Sequence, residues 1–372
     1  MCRRSKLMLH WHATMSGWST RQCGDCNNTE AGEHMGIEII AELAQGYEGK
    51  PHQAAALVAA AAAAGSDAAK LQLVYASELC VPGYKYYDLF KTLEMPDAVW
   101  DDLAELGRQK NIALHLDIFG RRSLALAERI CAEAIKVHGT DMANEGLLND
   151  VARSSIPRVL LACGGAMRGE IERALKILNR KKLVLLFGFQ GYPTLNAANQ
   201  ISRLREYAPL VAASDGGVAV GFADHAPVDH ALRFAVPATA IGAGATVLEK
   251  HLTLAQVMRL EDHEAALNPD DFADFVALMH SCEEALGPVA KNAEDFGMDA
   301  TEVGYRRMVR KHVVAVRPLP AGTVLMPEDL ALKRTPATEA LDEIAAAYGK
   351  RLTKSIEADQ PITREMLTEN RQ

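Results

Sequence analysis

Two histidines stand where apolar runs end. His225 closes Gly221-Phe222-Ala223-Asp224-His225, and His251 lies in Leu248-Glu249-Lys250-His251-Leu252-Thr253. They are 26 residues apart, about one strand-helix unit, so a parallel barrel would set them on neighbouring strand ends at the same face. Two neutral imidazoles, with water and substrate oxygens in the remaining positions, make an open Lewis-acid site rather than a closed structural one. Mn²⁺, Zn²⁺ and Co²⁺ all tolerate imidazole. A single histidine is more often a hydrogen-bonded core residue; the equivalent placement of two favours a metal.

Lys70 and Lys136 also end apolar runs. A buried ammonium needs an anionic partner, which is either a phosphate or carboxylate ligand or a structural ion pair with Glu42, Asp117 or Asp141. Glu42, the only acid at the end of the first apolar run, has the position of a general acid or base.

The elements that must carry these residues follow from the alternation of β-rich runs and helical stretches. Eight strands are expected at 37–41, 68–73, 112–118, 134–138, 157–162, 182–188, 218–222 and 246–250, with a last helix at 268–286. That is the pattern of a TIM (β/α)8 barrel, whose active site lies at the C-terminal strand ends; no GxGxxG follows any strand, which counts against an open dinucleotide-binding sheet. The strand ends then deliver Glu42, Lys70 and Gln72, Asp117 and Phe119, Lys136, His138 and Asp141, Cys163, Gln190 and Tyr192, Asp224 and His225, and Glu249 and His251. The long segment 74–95, with Tyr75, Tyr84, Tyr86 and Tyr87, reads either as a lid or as a padded surface loop. The domain expectation is a disordered leader at 1–35, the barrel at 36–288, a linker at 289–310 and a small β-rich domain at 311–372.

Composition narrows the function classes. The net charge of -8 and the lack of a dense Lys/Arg cluster argue against nucleic acid. The alanine-rich run 54–64 is too short to cross a membrane, which takes roughly 20 apolar residues. Seven cysteines, an odd number in a long chain, fit a reducing cytoplasm better than a disulfide framework. Cys23 and Cys26 form a lone CxxC near His10, His12 and His34, a weak metal signal, and the leader lacks the apolar core of a signal peptide.

The motifs together resemble the sialic acid synthases. The resemblance rests on Ile39-Ile40-Ala41-Glu42, Gly65-Ser66-Asp67-Ala68-Ala69-Lys70-Leu71-Gln72, Ile135-Lys136, Tyr192-Pro193-Thr194 and the two histidine motifs. In the C-terminal part, Gly322-Thr323-Val324 through Leu332-Lys333-Arg334 resembles the antifreeze-like (SAF) domain of those enzymes. The resemblance implies a carbon-carbon bond-forming transferase that condenses phosphoenolpyruvate with an N-acylated hexosamine, N-acetylmannosamine or an analogue, to a nonulosonic acid and phosphate. It assigns the metal, Mn²⁺ first with Mg²⁺, Co²⁺ and Zn²⁺ as substitutes, to His225 and His251. It gives phosphoenolpyruvate binding to Lys70 and Lys136, with Glu42 at the reacting centre, and the sugar pocket to Gln72, Phe119, Asp141, Tyr192, Asp262 and Arg334. Arg334 would reach the sugar from a partner subunit, so the active unit would be a homodimer whose small domain caps the partner's site.

Several positions depart from the family pattern. Asp117, Gly139, Ala162 and Ala223 stand where hydroxyl groups help hold phosphate, Gly46-Tyr47-Glu48 replaces an Asn-His motif, and Thr335-Pro336 follows Arg334 where Pro-Gly is usual. A divergent member is expected. The alternatives are a metal-dependent barrel aldolase acting on a sugar or keto acid without phosphoenolpyruvate, and a non-catalytic sugar-binding protein.

Overall fold

The computed structural model describes residues 36–369 except 189–190, 213–216, 230–232, 288–293, 295 and 338. The leader with its CxxC, and Gln190, lie outside the described residues. Among the described residues the first part of the chain forms eight strands, β1 (Glu38–Ala44), β2 (Ala68–Gln72), β3 (Ala113–Ile118), β4 (Ala134–Val137), β5 (Arg158–Ala162), β6 (Lys182–Gly188), β7 (Val218–Asp224) and β8 (Val247–His251). They close in sequence order into a parallel barrel, β8 pairing with β1. Each agrees with an expected strand. β1, β7 and β8 run further than expected at their C-terminal ends, and β8 takes His251 into the strand.

Strands buried on both faces read as continuous apolar runs, and the period-2 alternation within them separates two cores. Ile39, Leu43, Leu71, Leu116, Val137 and Leu185 pack outward against the helices. Ile40, Ala68, Ala134, Leu160, Val184, Leu186, Ala223 and Val247 form a separate inner cluster. Two residues further along the same faces come Glu42, Lys70, Lys136, His225 and Glu249, then His251, so alternation alone aims this set inward at the C-terminal half of the barrel. Gly188 lets β6 approach β7 there: it has φ of 147°, and a Cβ would lie 2.2 Å from the Ala223 carbonyl oxygen, two residues before His225.

The outer layer includes helices Pro51–Ala63, Asp97–Lys110, Arg121–Arg129, Glu145–Arg153, Arg168–Ile177, Ala235–Gly242 and Pro269–Leu286. The segment 74–95 is not a plain loop. It forms short helices Ala76–Leu79 and Tyr87–Leu93, and Glu78 accepts hydrogen bonds from the backbone N–H of Arg122 and Ser123 at 2.6 and 3.1 Å, anchoring it to the first turn of Arg121–Arg129. Tyr75 is a buried anchor: its hydroxyl donates to Asp97 at 2.9 Å and Arg122 lies 3.6 Å over its ring. Tyr84 and Tyr86 are exposed.

The chain divides into two compact units between Gly287 and Pro288. In the second, β9 (His312–Ala315) pairs antiparallel with β10 (Leu330–Lys333), and β11 (Arg351–Leu352) with β12 (Leu367–Thr368). A core of Val313, Leu319, Leu325, Leu352, Ile356 and Ile362 holds them together. Within the segment expected as a linker the chain forms a helix, Ala300–Val309, whose first turn is capped by Asp299 accepting from the Glu302 N–H at 2.7 Å. None of its residues is buried, so no apolar stripe marks it in the sequence.

Candidate active site

Parallel register sets the polar residues side by side. Glu42 on β1 lies opposite Lys70 on β2 and opposite His251 on β8, while Asp117 on β3 lies opposite Gln72 and Lys136. The result is a buried cluster of three carboxylates and two ammonium groups. Lys70 donates to Glu42, and to Asp117 at 2.7 Å, and lies 3.4 Å from Glu249. Lys136 donates to Glu249 at 2.9 Å and lies 3.3 Å from Asp117 and 3.6 Å from Glu42. Lys70 and Asp117 have no exposed surface, and Lys136 keeps 7%.

Burial and mutual attraction act on these groups in opposite directions. Desolvation pulls Lys70 down to about 8 despite Asp117 and Glu249. Desolvation also opposes the charge of Lys136, but Asp117 and Glu249 outweigh it and raise that ammonium's pKa. For Glu249 burial disfavours the anion, and Lys136 and Lys70 more than reverse the effect, holding the carboxyl well below its usual range. The Asp117 Oδ2 and Glu249 Oε2 oxygens nevertheless accept no hydrogen bond. Such buried acceptors are costly unless a donor reaches them.

The two imidazoles lie beside this cluster, with ring centres 5.1 Å apart. Tyr192 packs edge-on against both, at 5.8 Å from each, and its hydroxyl donates to the Asp262 backbone carbonyl. Burial lowers His225 to about 4. It lowers His251 well below its ordinary value, with His225 adding to the effect. Both are therefore neutral at pH 7, the form that binds metal. An imidazole nitrogen binds an ion at about 2.0–2.1 Å, which puts two rings sharing one ion roughly 5 Å apart, so the pair fits a common ion. Among the described residues no group of three or more His, Cys, Asp and Glu is arranged to hold a metal. An ion held here would take two imidazoles as its protein donors, leaving its other positions to substrate oxygens.

Outward-facing residues brace the pair. Lys250 donates to Asp224 Oδ2 at 2.8 Å and to the Ala226 carbonyl at 3.3 Å, while Asp224 Oδ1 accepts from the Ala226 N–H at 2.9 Å. All of this tethers the ends of β7 and β8.

Of the expected sugar-pocket residues, Tyr192 packs on the histidines directly, and Asp262 is tied to it through its backbone carbonyl. Asp262 sits in the left-handed region at φ 66°, and burial, with Glu261 and Glu264 nearby, raises its carboxyl to about 6. Gln72 follows Lys70 on β2 and accepts from Gln45 Nε2 at 2.7 Å. Phe119 follows β3 and packs on the His138 ring, 6.0 Å between centres. Asp141 lies in the 3-10 turn after β4, where it accepts from Asn144 Nδ2 at 3.1 Å, and takes no part in the lysine cluster. Arg334 is exposed just after β10, in the second unit. Cys163 is buried, its thiol donating to the Leu161 carbonyl at 3.3 Å. Glu249 was given no role from sequence although it binds both lysines; its i, i+2 spacing from His251 was the available signal.

A second buried histidine environment lies deeper, where His115 on β3 is opposite Lys70. Its pKa is lowered to about 4, mainly by desolvation, against about 6.5 in an unfolded chain. Between those values the unfolded state binds more protons, so the stability contribution is complete above pH 6.5 and is lost as pH falls towards 4. His115→Gln is expected to remove on the order of 3 kcal/mol of this acid-dependent loss. Urea unfolding at pH 7 and pH 4.5 checks it: equal acid losses in both proteins would contradict the assignment.

No helix among the described residues is long and apolar enough to cross a membrane. A model described as NeuB family matches residues 57–291, and one described as SAF domain matches residues 310–368. The N,N'-diacetyllegionaminic acid synthase of Legionella pneumophila is 27% identical over 348 residues, covering 88% of this chain and 93% of that protein. The crystal structure of the sialic acid synthetase of Leptospira borgpetersenii, in complex with citrate, is 25% identical with a TM-score of 0.64, covering 74% of this chain and 93% of that one. A spore coat polysaccharide biosynthesis protein E from Chromobacterium violaceum shares the fold with a TM-score of 0.73 at 24% identity, over 89% and 99% of the two chains.

Proposed function

The chain belongs to the NeuB family, a family of carbon-carbon bond-forming synthases, and on that premise we propose that it condenses phosphoenolpyruvate with an N-acylated hexosamine, releasing phosphate and a nonulosonic acid. The observation that carries the reading is the buried pair of lysines beside two neutral imidazoles at one mouth of the barrel. The two ammonium groups, paired with Glu42, Asp117 and Glu249 within the chain, are the donors that a ligand bearing a carboxylate and a phosphate would engage.

Lys70 and Lys136 hold the donor's anionic groups, and Glu42, against Lys70, carries the proton at the reacting centre. His225 and His251 would hold a divalent ion, Mn²⁺ first with Mg²⁺, Co²⁺ or Zn²⁺ as substitutes, which when bound polarises the sugar aldehyde. Tyr192 and Asp262 orient the sugar beside the imidazoles, with Gln72, Phe119 and Asp141 lining the approach. Asp262, raised to about 6, is mostly ionised at pH 7 and accepts hydrogen bonds from sugar hydroxyls.

Arg334 completes the sugar site from a partner subunit, in a homodimer. Mixing His251→Ala with Arg334→Ala subunits tests this, because one site of each mixed dimer regains both residues. Recovery of a substantial part of wild-type activity is expected in isolated heterodimers; none would refute the exchange. The reaction itself is tested by mass spectrometry of the product, which is expected to contain the three donor carbons joined to the sugar. Turnover of pyruvate in place of phosphoenolpyruvate would favour an aldolase.

A further inference from the structure

The donor lysines are not vacant. Fully ionised, Glu42, Asp117 and Glu249 carry one more charge than Lys70 and Lys136, inside a site with almost no solvent contact. A phosphorylated enol acid would bring two or three further negative charges into the same space. Even with a divalent ion on His225 and His251 the complex would keep one or two excess negative charges in a low-dielectric interior, a repulsion that the loss of a charge relieves.

Asp117 shows where. One oxygen, Oδ1, accepts from Lys70 at 2.7 Å. The other, Oδ2, is 3.3 Å from Lys136 yet accepts no hydrogen bond and is buried. A ligand held by both lysines therefore lies against an acceptor to which the Lys136 ammonium, at 3.3 Å, makes no hydrogen bond. The groups facing Asp117 are Lys70 and Gln72 on β2, Lys136 and His138 at β4, Glu42 on β1 and Glu249 on β8, with His115 on its own strand. Both ammonium groups are already engaged with carboxylates, and burial keeps His138 from charging by lowering its pKa. A phosphate monoester gains or loses its second proton near pH 6. It is the one part of the donor that can enter carrying a proton near neutrality.

We propose that Asp117 is a donor-selecting residue: its Oδ2 accepts a hydrogen bond from the singly protonated phosphate of the donor, so the site takes the hydrogen-phosphate form and rejects the fully ionised one. The inference rests on the phosphoenolpyruvate reading and adds the ionisation state that the site accepts. No bond is made or broken in this step; the proton arrives on the donor and lies between two oxygens. A neutral side chain at this position removes the repulsion and with it the selection.

The test compares wild-type protein with Asp117→Asn between pH 6 and 9, with Asp117→Thr as a second neutral variant and thermal melts to verify folding. Removing one carboxylate balances the cluster, so the variants are expected to fold. In wild type, kcat/KM for phosphoenolpyruvate is expected to fall about tenfold per pH unit above the phosphate pKa of about 6, chiefly through KM. In the variants the profile flattens, and at pH 8.5 their KM is lower by on the order of tenfold or more. Taking the ratio of variant to wild type cancels the titrations of His225 and His251; Lys70 loses the support of Asp117 in the variants and titrates lower there, which steepens their profile and so cannot produce the expected flattening. Calorimetry of phosphoenolpyruvate binding in two buffers of different ionisation enthalpy gives a reading independent of turnover: about one proton taken up by wild type at pH 8 and none by Asp117→Asn. Parallel pH profiles with equal proton uptake would overturn the selection while leaving the condensation intact. If folded wild type and variants neither bind nor turn over phosphoenolpyruvate, the donor reading fails and the selection with it.

Discussion

His251→Ala is expected to lower metal-dependent phosphate release by a factor of about 100 to 1000 or more while the barrel stays folded. In the proposed site the imidazole, packed beside Tyr192 and His225, would supply half of a two-residue donor set, and losing one group that stabilises charge in a transition state commonly costs about 3 kcal/mol. The side chain is buried but neutral, so its removal strands no charge. The only structural price is a small cavity. Two measurements separate the roles: circular dichroism with a thermal melt for the fold, and isothermal titration with Mn²⁺ alone for the site. Wild-type turnover, or unchanged Mn²⁺ affinity in the folded variant, would remove His251 from the metal site.

Lys70→Met is expected to have the largest effect on stability. It leaves Glu42, Asp117 and Glu249 facing Lys136 alone, and breaking a buried ion network by removing one partner costs about 3–5 kcal/mol. Adding Asp117→Leu should recover a large part of that loss, because the stranded charge and its partner then leave together. Urea unfolding of the single and double variants measures both quantities. A Lys70→Met protein within about 0.5 kcal/mol of wild type would mean that the cluster is not ionised as described.

The two effects show what could be read from sequence. Strand existence was legible because a parallel barrel buries both strand faces, which leaves runs such as Val184-Leu185-Leu186-Phe187 unmistakable. The histidines were legible because each ends such a run. The division of labour inside the barrel was harder. Lys70 and Lys136 each needed an anion, and sequence left open whether a ligand or the chain would supply it. Strand register decides that the chain does, by setting Asp117 opposite Lys136 and Glu42 opposite Lys70. Glu249 stands among the strand-end residues, and its spacing from His251 marks it, but its partners lie on β2 and β4 and only the register shows that it binds both lysines. The helix Ala300–Val309 lies in the segment expected as a linker because none of its residues is buried, so no apolar stripe marks it. Tyr75 falls in a segment that reads as a lid or a padded surface loop, because its anchoring role depends on Asp97 and Arg122, which belong to later elements.

The central claim is a condensation in which the donor's phosphate leaves only when an acceptor sugar is present. The most direct measurement is inorganic phosphate released from phosphoenolpyruvate by the 372-residue chain, across a panel of N-acylated hexosamines, with Mn²⁺ and after chelation. The expected result is release that requires a particular hexosamine, matches the new acid one for one, and is lost on chelation and restored by Mn²⁺. Sugar-independent release, or no release with any hexosamine and any of the four metals, would contradict it.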